Sequence, residues 1–193
     1  TSTLELHGTI GHGGMGIVHL GRQPRLNREV AVKTLRPEFR TEREIVKMLR
    51  EAWITGILEH PNIVPVHDLL VEEDGSPSLI LKLIHGLEWS SLIHDEEEVR
   101  SKYGATSLLE WNIRTLMQVC NAIHFAHSRG ILHRDIKPEN VMIGAFGEVY
   151  VVDWGIAVSL RDDGSGRLPL AQRSTAIAGT PMYMAPEVVT QSP

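Results

Sequence analysis

The sequence predicts an α+β chain in two parts: an antiparallel, strand-rich segment over residues 1–84 and a helix-rich remainder over residues 85–193. Three observations predict it. Up to about Ile84, short apolar runs with period-two alternation alternate with turn residues. After Gly86 the apolar residues fall at helical spacing, and Ser107-Leu108-Leu109-Glu110 reads as a helix start. The 193 residues, 42% hydrophobic and 22% charged, suffice for one domain or two packed lobes with a sizeable core.

Leu4 to Ile10 ends in glycines, Ile17 to Leu20 follows, and Glu29 to Leu35 alternates Val30 and Val32 with Ala31 and Lys33. All three read as strands. Arg40 to Leu58 has helical spacing, with Ile45, Met48, Leu49, Ala52 and Trp53 on one face, and Pro61 stops it. Ile63 to Leu70 and Ser78 to Ile84 read as two strands joined by the turn Glu72-Glu73-Asp74-Gly75-Ser76-Pro77. The two parts join near Lys82 to Gly86. Glu88 to Ile93 reads as a short helix and charged His94 to Thr106 as a surface loop. A long helix opens on a capping box of Ser107 and Glu110 and closes near Ser128, before Arg129-Gly130. Val141 to Ile143 and Glu148 to Val152 read as a hairpin, and Asp162 to Arg173 as a polar, Gly-rich loop.

Composition excludes several function classes. A net charge of −5 gives no basic footprint, so nucleic acid is not an expected partner. The ten His lie in no metal-ligand spacing with carboxylates or Cys. Cys120 is the single cysteine, which excludes a disulfide framework and fits a reducing, cytoplasmic compartment. Its apolar neighbours predict a buried thiol. No signal-peptide pattern and no run of membrane-spanning length is present, and the chain reads as cytoplasmic or as the cytoplasmic part of a longer protein.

The chemistry is concentrated in four places. Gly11, Gly13 and Gly16 form G-x-G-x-x-G, and Ile17-Val18-His19-Leu20 continues as strand rather than helix. Such a loop joins two antiparallel strands and can close backbone amides over phosphates. The absent helix argues against a nucleotide-binding oxidoreductase. Lys33 sits in an apolar strand, where an unpaired ammonium is costly and needs anionic partners. Phosphates and a carboxylate of the following helix would serve; Glu51 is the best placed, ahead of Glu42 and Glu44. His133-Arg134-Asp135-Ile136-Lys137-Pro138-Glu139-Asn140 then puts four chemical groups in eight residues. Asp135 can accept the proton of an attacking hydroxyl, Lys137 can neutralise a phosphoryl group, and Asn140 can bind Mg²⁺ through its carbonyl oxygen. Asp153-Trp154-Gly155 adds a metal carboxylate thirteen residues on, and Gly179 to Glu187 follows the polar loop.

In this order the motifs resemble the catalytic domain of Hanks-type (eukaryotic-like) Ser/Thr protein kinases, over about Leu4 to Glu187. The resemblance implies a two-lobed fold, with an antiparallel β-rich N-lobe over 1–84 and a helical, incomplete C-lobe over 85–193. It implies ATP and Mg²⁺ as cofactors and proteins with Ser/Thr hydroxyls as substrates. Gly11, Gly13 and Gly16 would cover the phosphates, and Lys33 would pair with them and with Glu51. Asp135 would be the base, and Asn140 and Asp153 would hold Mg²⁺. Adenine would lie between Ile10, Val18, Ala31 and Met142, with Leu81 as gatekeeper and Lys82 to Ile84 as hinge. Lys137 and Gly179-Thr180-Pro181 are similar to Ser/Thr rather than Tyr kinases, and His60 to Asp68 resembles the bacterial branch. Arg134 beside Asp135 implies control by phosphorylation, with Ser174 and Thr175 as the leading acceptors and Ser165 and Ser159 behind them. Thr180 is expected to be structural, near Asp135 and Lys137.

Three departures stand out. Trp154 replaces the family's Phe, and Lys82 stands where many relatives carry an acid. The chain stops at Pro193, six residues past Glu187, where further helices follow in the family. The missing segment, or a partner chain, is expected to cover the apolar underside of the long helix and to pair a partly buried Glu187. A pseudokinase or docking module is the alternative, as is a fragment left inactive without those helices. The presence of Lys33, Glu51, Asp135, Asn140 and Asp153 favours an active kinase.

Overall fold

The computed structural model describes residues 4–13, 16–162, 164, 166–173 and 178–190. The chain forms two compact units. One comprises the residues up to Ile57 together with Val64–Ile84; the other comprises Leu58–Ile63 and the chain from His85 onward.

The first unit is built on five antiparallel strands: β1 (Glu5–His12), β2 (Gly16–Gln23), β3 (Arg28–Leu35), β4 (Val66–Val71) and β5 (Pro77–Lys82). They lie in the order β1-β2-β3-β5-β4. Alternation in β3 separates two faces. Val30 and Val32 pack with Ile80, flanked by Leu4 and Leu70, into an apolar core. Ala31 and Lys33 point the other way, towards the side on which helix α1 (Glu42–Ile57) meets the sheet through the Lys33–Glu51 bond. The buried residues of α1 are Met48, Glu51, Ala52, Ile54 and Thr55. The packed face is thus rotated from the expected one, because it includes the carboxylate that Lys33 requires.

The segment Leu58–Ile63 corrects the expected strand from Ile63. Asn62 Nδ2 donates to Gln118 Oε1 (3.1 Å) and to the Val149 carbonyl (3.0 Å), and its own carbonyl accepts from Val151 N (2.8 Å). His60 stacks on Phe125 at 5.2 Å. These bonds attach the segment to the second unit, and β4 starts only at Val66.

In the second unit, β6 (Gly86–Glu88), β8 (Val141–Gly144) and β9 (Val149–Val151) form an antiparallel sheet in the order β6-β8-β9. β7 (Ile131–Leu132) pairs with β10 (Val158–Ser159). α2 (Trp89–Leu92) forms the expected short helix, and α5 (Pro186–Thr190) is the last described element. The charged stretch expected as a loop is instead helix α3 (Glu96–Tyr103). Its sequence supplies what a helix needs. Asp95 accepts from Glu98 N at the N-cap, Gly104 closes it at φ 65°, and Glu96–Arg100 and Glu98–Lys102 pair at i,i+4. One apolar residue, Val99, is 1% exposed and anchors it.

α4 (Leu108–Ser128) starts on Ser107, whose Oγ accepts from Glu110 N at 3.3 Å. The reciprocal half of the box is not made, because Glu110 pairs with Arg114 at 2.7 Å. One face of α4 buries Thr115, Val119, Ala122 and Ala126. On the opposite side Leu109, Ile113, Leu116 and Met117 are exposed. Cys120 lies on that side and is exposed, which overturns its expected burial. Neighbours in sequence are not neighbours on a helix face. Glu187, expected partly buried, is also exposed. Among the described residues no helix is long and apolar enough to cross a membrane.

Candidate active site

The candidate nucleotide residues of the first unit are brought together by strand register. Gly11 pairs with Val18, Val18 with Lys33, and Ala31 with Leu81. Directly opposed residues of antiparallel strands share a face, so these five side-chain positions line one side of the sheet. On that side Lys33 Nζ donates to both carboxylate oxygens of Glu51, at 2.6 and 2.8 Å. Their side chains are 21% and 9% exposed. A pair this sheltered leaves an uncompensated charge if either partner is removed. Of the other candidates on α1, Glu44 pairs instead with Lys47 at 2.8 Å, and Glu42 opens the helix more than two turns before Glu51. Ile10 is half-exposed on β1, and Lys82 and Ile84 are partly buried at the end of the unit. At the glycine turn, Gly13 N donates to Gly16 O at 2.9 Å.

The second unit gathers the other set. Asp135 follows β7, Lys137 precedes a 3₁₀ turn at Pro138–Asn140, and Met142 follows on β8. Four donors converge on the Asp135 carboxylate. Oδ1 accepts from the Thr180 amide and hydroxyl, both at 2.8 Å. Oδ2 accepts from Asn140 Nδ2 and lies 3.1 Å from Lys137 Nζ. Lys137 Nζ also donates to Thr180 Oγ1 at 2.8 Å, as expected of a structural Thr180. Burial alone pushes the Asp135 carboxyl up. The hydrogen bonds from Thr180, Lys137 and Asn140, with the Lys137 charge, outweigh it and hold the group below its usual range. The group stays ionised at neutral pH.

Asn140 is oriented by use of one end only. Its Nδ2 donates to the Asp135 carbonyl (2.8 Å) and carboxylate, which leaves Oδ1 as the acceptor available to a cation. Asp153 is exposed, with φ 59°, and accepts from Gly155 N at 3.4 Å. An amide oxygen and a carboxylate are hard oxygen donors of the kind Mg²⁺ takes in company with phosphates.

A residue that motif reading left without a role joins these segments. His133, 2% exposed, accepts from Asp135 N at Nδ1 (3.2 Å) and donates from Nε2 to the Val152 carbonyl (3.1 Å). That requires the neutral Nε2–H tautomer. Val152 N in turn donates to the Asn140 carbonyl. The imidazole therefore ties Asp135 to the segment after β9 that carries Asp153. The Trp154 indole meets it edge-on at 4.5 Å, and its buried Nε1 has no hydrogen-bond partner among the described residues. Burial lowers the His133 pKa, and the hydrogen bond to the Val152 carbonyl and the nearby Asp153 and Asp135 carboxylates only partly oppose that. The unfolded chain therefore binds a proton that the folded chain refuses. This contribution to stability is complete above about pH 6.5 and is lost as pH falls below it. Urea midpoints taken from pH 8 to 5 should decline less steeply in His133→Asn. His60 and His67, also lowered, add to the decline in both proteins.

Gly179 sets the position of Thr180. It adopts φ 123°, and a Cβ there would lie 2.5 Å from the Arg134 carbonyl oxygen. Gly179→Ala must displace Thr180 from Asp135, and kcat is expected to fall about 10- to 100-fold, measured by steady-state kinetics. Ser174 and Thr175 lie outside the described residues. Ser159 is buried, donates to the Arg161 carbonyl and accepts from Arg161 N, so it is removed from the acceptor candidates.

The protein kinase domain family, compared with this sequence, matches residues 4–193. The chain belongs to the protein kinase family. Serine/threonine-protein kinase PknB of Mycobacterium tuberculosis is 35% identical to this kinase domain over 187 residues, covering 95% of the chain and 28% of the relative. Serine/threonine-protein kinase PknD of Chlamydia pneumoniae is 36% identical over 193 residues, covering 92% of the chain and 20% of the relative. The PknB of Mycobacterium leprae is 34% identical over 187 residues. The kinase domain thus spans about a quarter of the curated relatives it matches, which are bacterial, Hanks-type kinases. The antiparallel sheet and the helical remainder are those of the family's fold. The family as a whole uses ATP and a divalent metal.

Proposed function

We propose that this protein is an active Ser/Thr protein kinase that transfers the γ-phosphate of ATP to Ser and Thr hydroxyls of proteins, its own included. The observation that carries the reading is the Asp135 carboxylate, kept ionised by donors from Thr180, Lys137 and Asn140. All four of its acceptor positions are engaged. A substrate hydroxyl needs one of them. Lys137 is the donor that can leave, since its charge is better used on the transferred phosphoryl group. Its departure opens Oδ2 to the hydroxyl. The hydroxyl oxygen bonds to the γ-phosphorus, the bond from phosphorus to the β,γ-bridging oxygen breaks, and the hydroxyl proton passes to Asp135.

Lys33, held by Glu51, would neutralise the ATP phosphates, and the backbone amides around Gly11, Gly13 and Gly16 would cover them. Ile10, Val18, Ala31, Leu81 and Met142 would contact adenine, and the backbone of Lys82 to Ile84 would bond its edge. Asn140 Oδ1 and Asp153 would hold Mg²⁺, which supplies charge neutralisation to the phosphates when bound. Ser174 or Thr175, once phosphorylated, would engage Arg134. Cytoplasmic placement, alone or as part of a longer protein, fits the use of ATP.

The test is incubation with Mg²⁺ and γ-labelled ATP, followed by phosphoamino-acid analysis of the products. Label on phosphoserine or phosphothreonine is expected. Nucleotide binding without incorporation by the full-length protein would make it a docking module instead.

A further inference from the structure

Three residues past Lys33, just beyond its strand, stands a cation that the family motifs leave unassigned. β3 ends at Leu35, and Arg36 follows in an extended conformation (φ −62°, ψ 145°), as a residue before proline should. This turns the chain into the 3₁₀ turn Pro37–Phe39. From there Arg36 Nη2 donates to the carbonyl of Gly13, 23 residues away in sequence, at 3.0 Å. Its Nε is buried with no hydrogen-bond partner among the described residues. The guanidinium thus reaches the glycine loop through one exposed hydrogen bond from Nη2.

A glycine-rich loop is the part of a phosphate site least able to hold its own shape, because glycine has the most backbone freedom to lose. Ordering it at the moment of binding costs affinity, and ordering it beforehand recovers that cost. The Gly13 carbonyl is held by Arg36, while the Gly13 amide closes onto Gly16 O. Gly16 is itself confined against β3, where a Cβ would lie 3.1 Å from the Thr34 carbonyl oxygen. Arg36 thus bonds the turn at Gly13, and Thr34 bounds it at Gly16.

We propose that Arg36 is a positioning residue for nucleotide binding: it holds the glycine loop through the Gly13 carbonyl, in the shape that receives the ATP phosphates. The inference rests on the kinase reading and deepens it. Arg36 acts through the loop and takes no proton, so its effect falls on nucleotide affinity rather than on the chemical step.

The experiment compares wild type, Arg36→Ala and Arg36→Lys by calorimetric titration with MgATP, steady-state kinetics, thermal melting, and hydrogen exchange of the loop peptide without nucleotide. Arg36→Ala should weaken MgATP binding and raise its KM about three- to tenfold, the size expected for one hydrogen bond made in competition with water. Its kcat should change less than about twofold, its Tm should be unchanged, and loop exchange should accelerate. Arg36→Lys keeps a donor and should recover most of the affinity. Unchanged affinity in Arg36→Ala overturns the inference, whether or not loop exchange accelerates. A loss of affinity matched by a fall in Tm, or one that lysine does not rescue, makes Arg36 merely structural and overturns it too. Wild-type protein that binds no nucleotide overturns the kinase reading and this role together, a result separate from binding by wild type with an unaltered Arg36→Ala.

Discussion

Asp135→Asn should abolish most phosphate incorporation from Mg²⁺-ATP, with kcat falling about 10²- to 10⁴-fold, the usual contribution of a general base. The substitution is nearly isosteric and retains an acceptor oxygen towards Thr180, whose amide and hydroxyl both lie 2.8 Å from Oδ1. The loss is at Oδ2. There an amide nitrogen would face Asn140 Nδ2 and Lys137 Nζ, two donors that would keep only the Asp135 carbonyl and Thr180 Oγ1 as acceptors. The variant can neither take the hydroxyl proton nor offer Lys137 a counter-charge. MgATP affinity should stay within about twofold, because Lys33 and Glu51 are untouched. The check is single-turnover kinetics beside a nucleotide titration. Incorporation that survives in the variant would remove Asp135 from its role.

Gly86→Ala has the largest effect expected on stability. A Cβ at Gly86 would lie 1.9 Å from the Ile143 carbonyl oxygen and 2.9 Å from Gly144 Cα. Both are backbone atoms of β8, which β6 pairs through Gly86 and Gly144. No rotamer relieves such a clash, so the two strands must separate or shift. The cost should be about 3 kcal/mol, at the upper end for overpacking, and the melting temperature should fall by about 6–12 °C. Gly8→Ala is the control, since nothing lies within 4 Å of a Cβ there. It should change stability by no more than about 0.5 kcal/mol. Equal melting temperatures for the two variants would show that β6 does not pack as described.

Much of the site was legible because its chemistry is local. Asp135, Lys137 and Asn140 fall within six residues, and a short loop can place them only near one another. Lys33 could be assigned a carboxylate from its apolar strand, and Glu51 is that partner. The helix over Glu96–Tyr103 was misread because charge density suggests solvent, while capping and i,i+4 pairing work through charge. Cys120 was misread because apolar neighbours along a helix do not say which side finds a partner. Arg36 carries no pattern, since its contact with Gly13 joins residues 23 apart.

The sequence by itself determined the family, most of the element order and which motifs carry chemically reactive side chains. These are properties of residue type and spacing, which survive without knowledge of contacts. Only the tertiary structure decided that His133 is a neutral tie between Asp135 and Val152, and that Thr180 takes both positions on Asp135 Oδ1. It also decided that Gly86 and Gly179 tolerate no side chain. Hydrogen bonds and close contacts form between residues that folding brings to within a few ångströms, whatever their separation along the chain, and that distance is absent from the sequence until the backbone is in place.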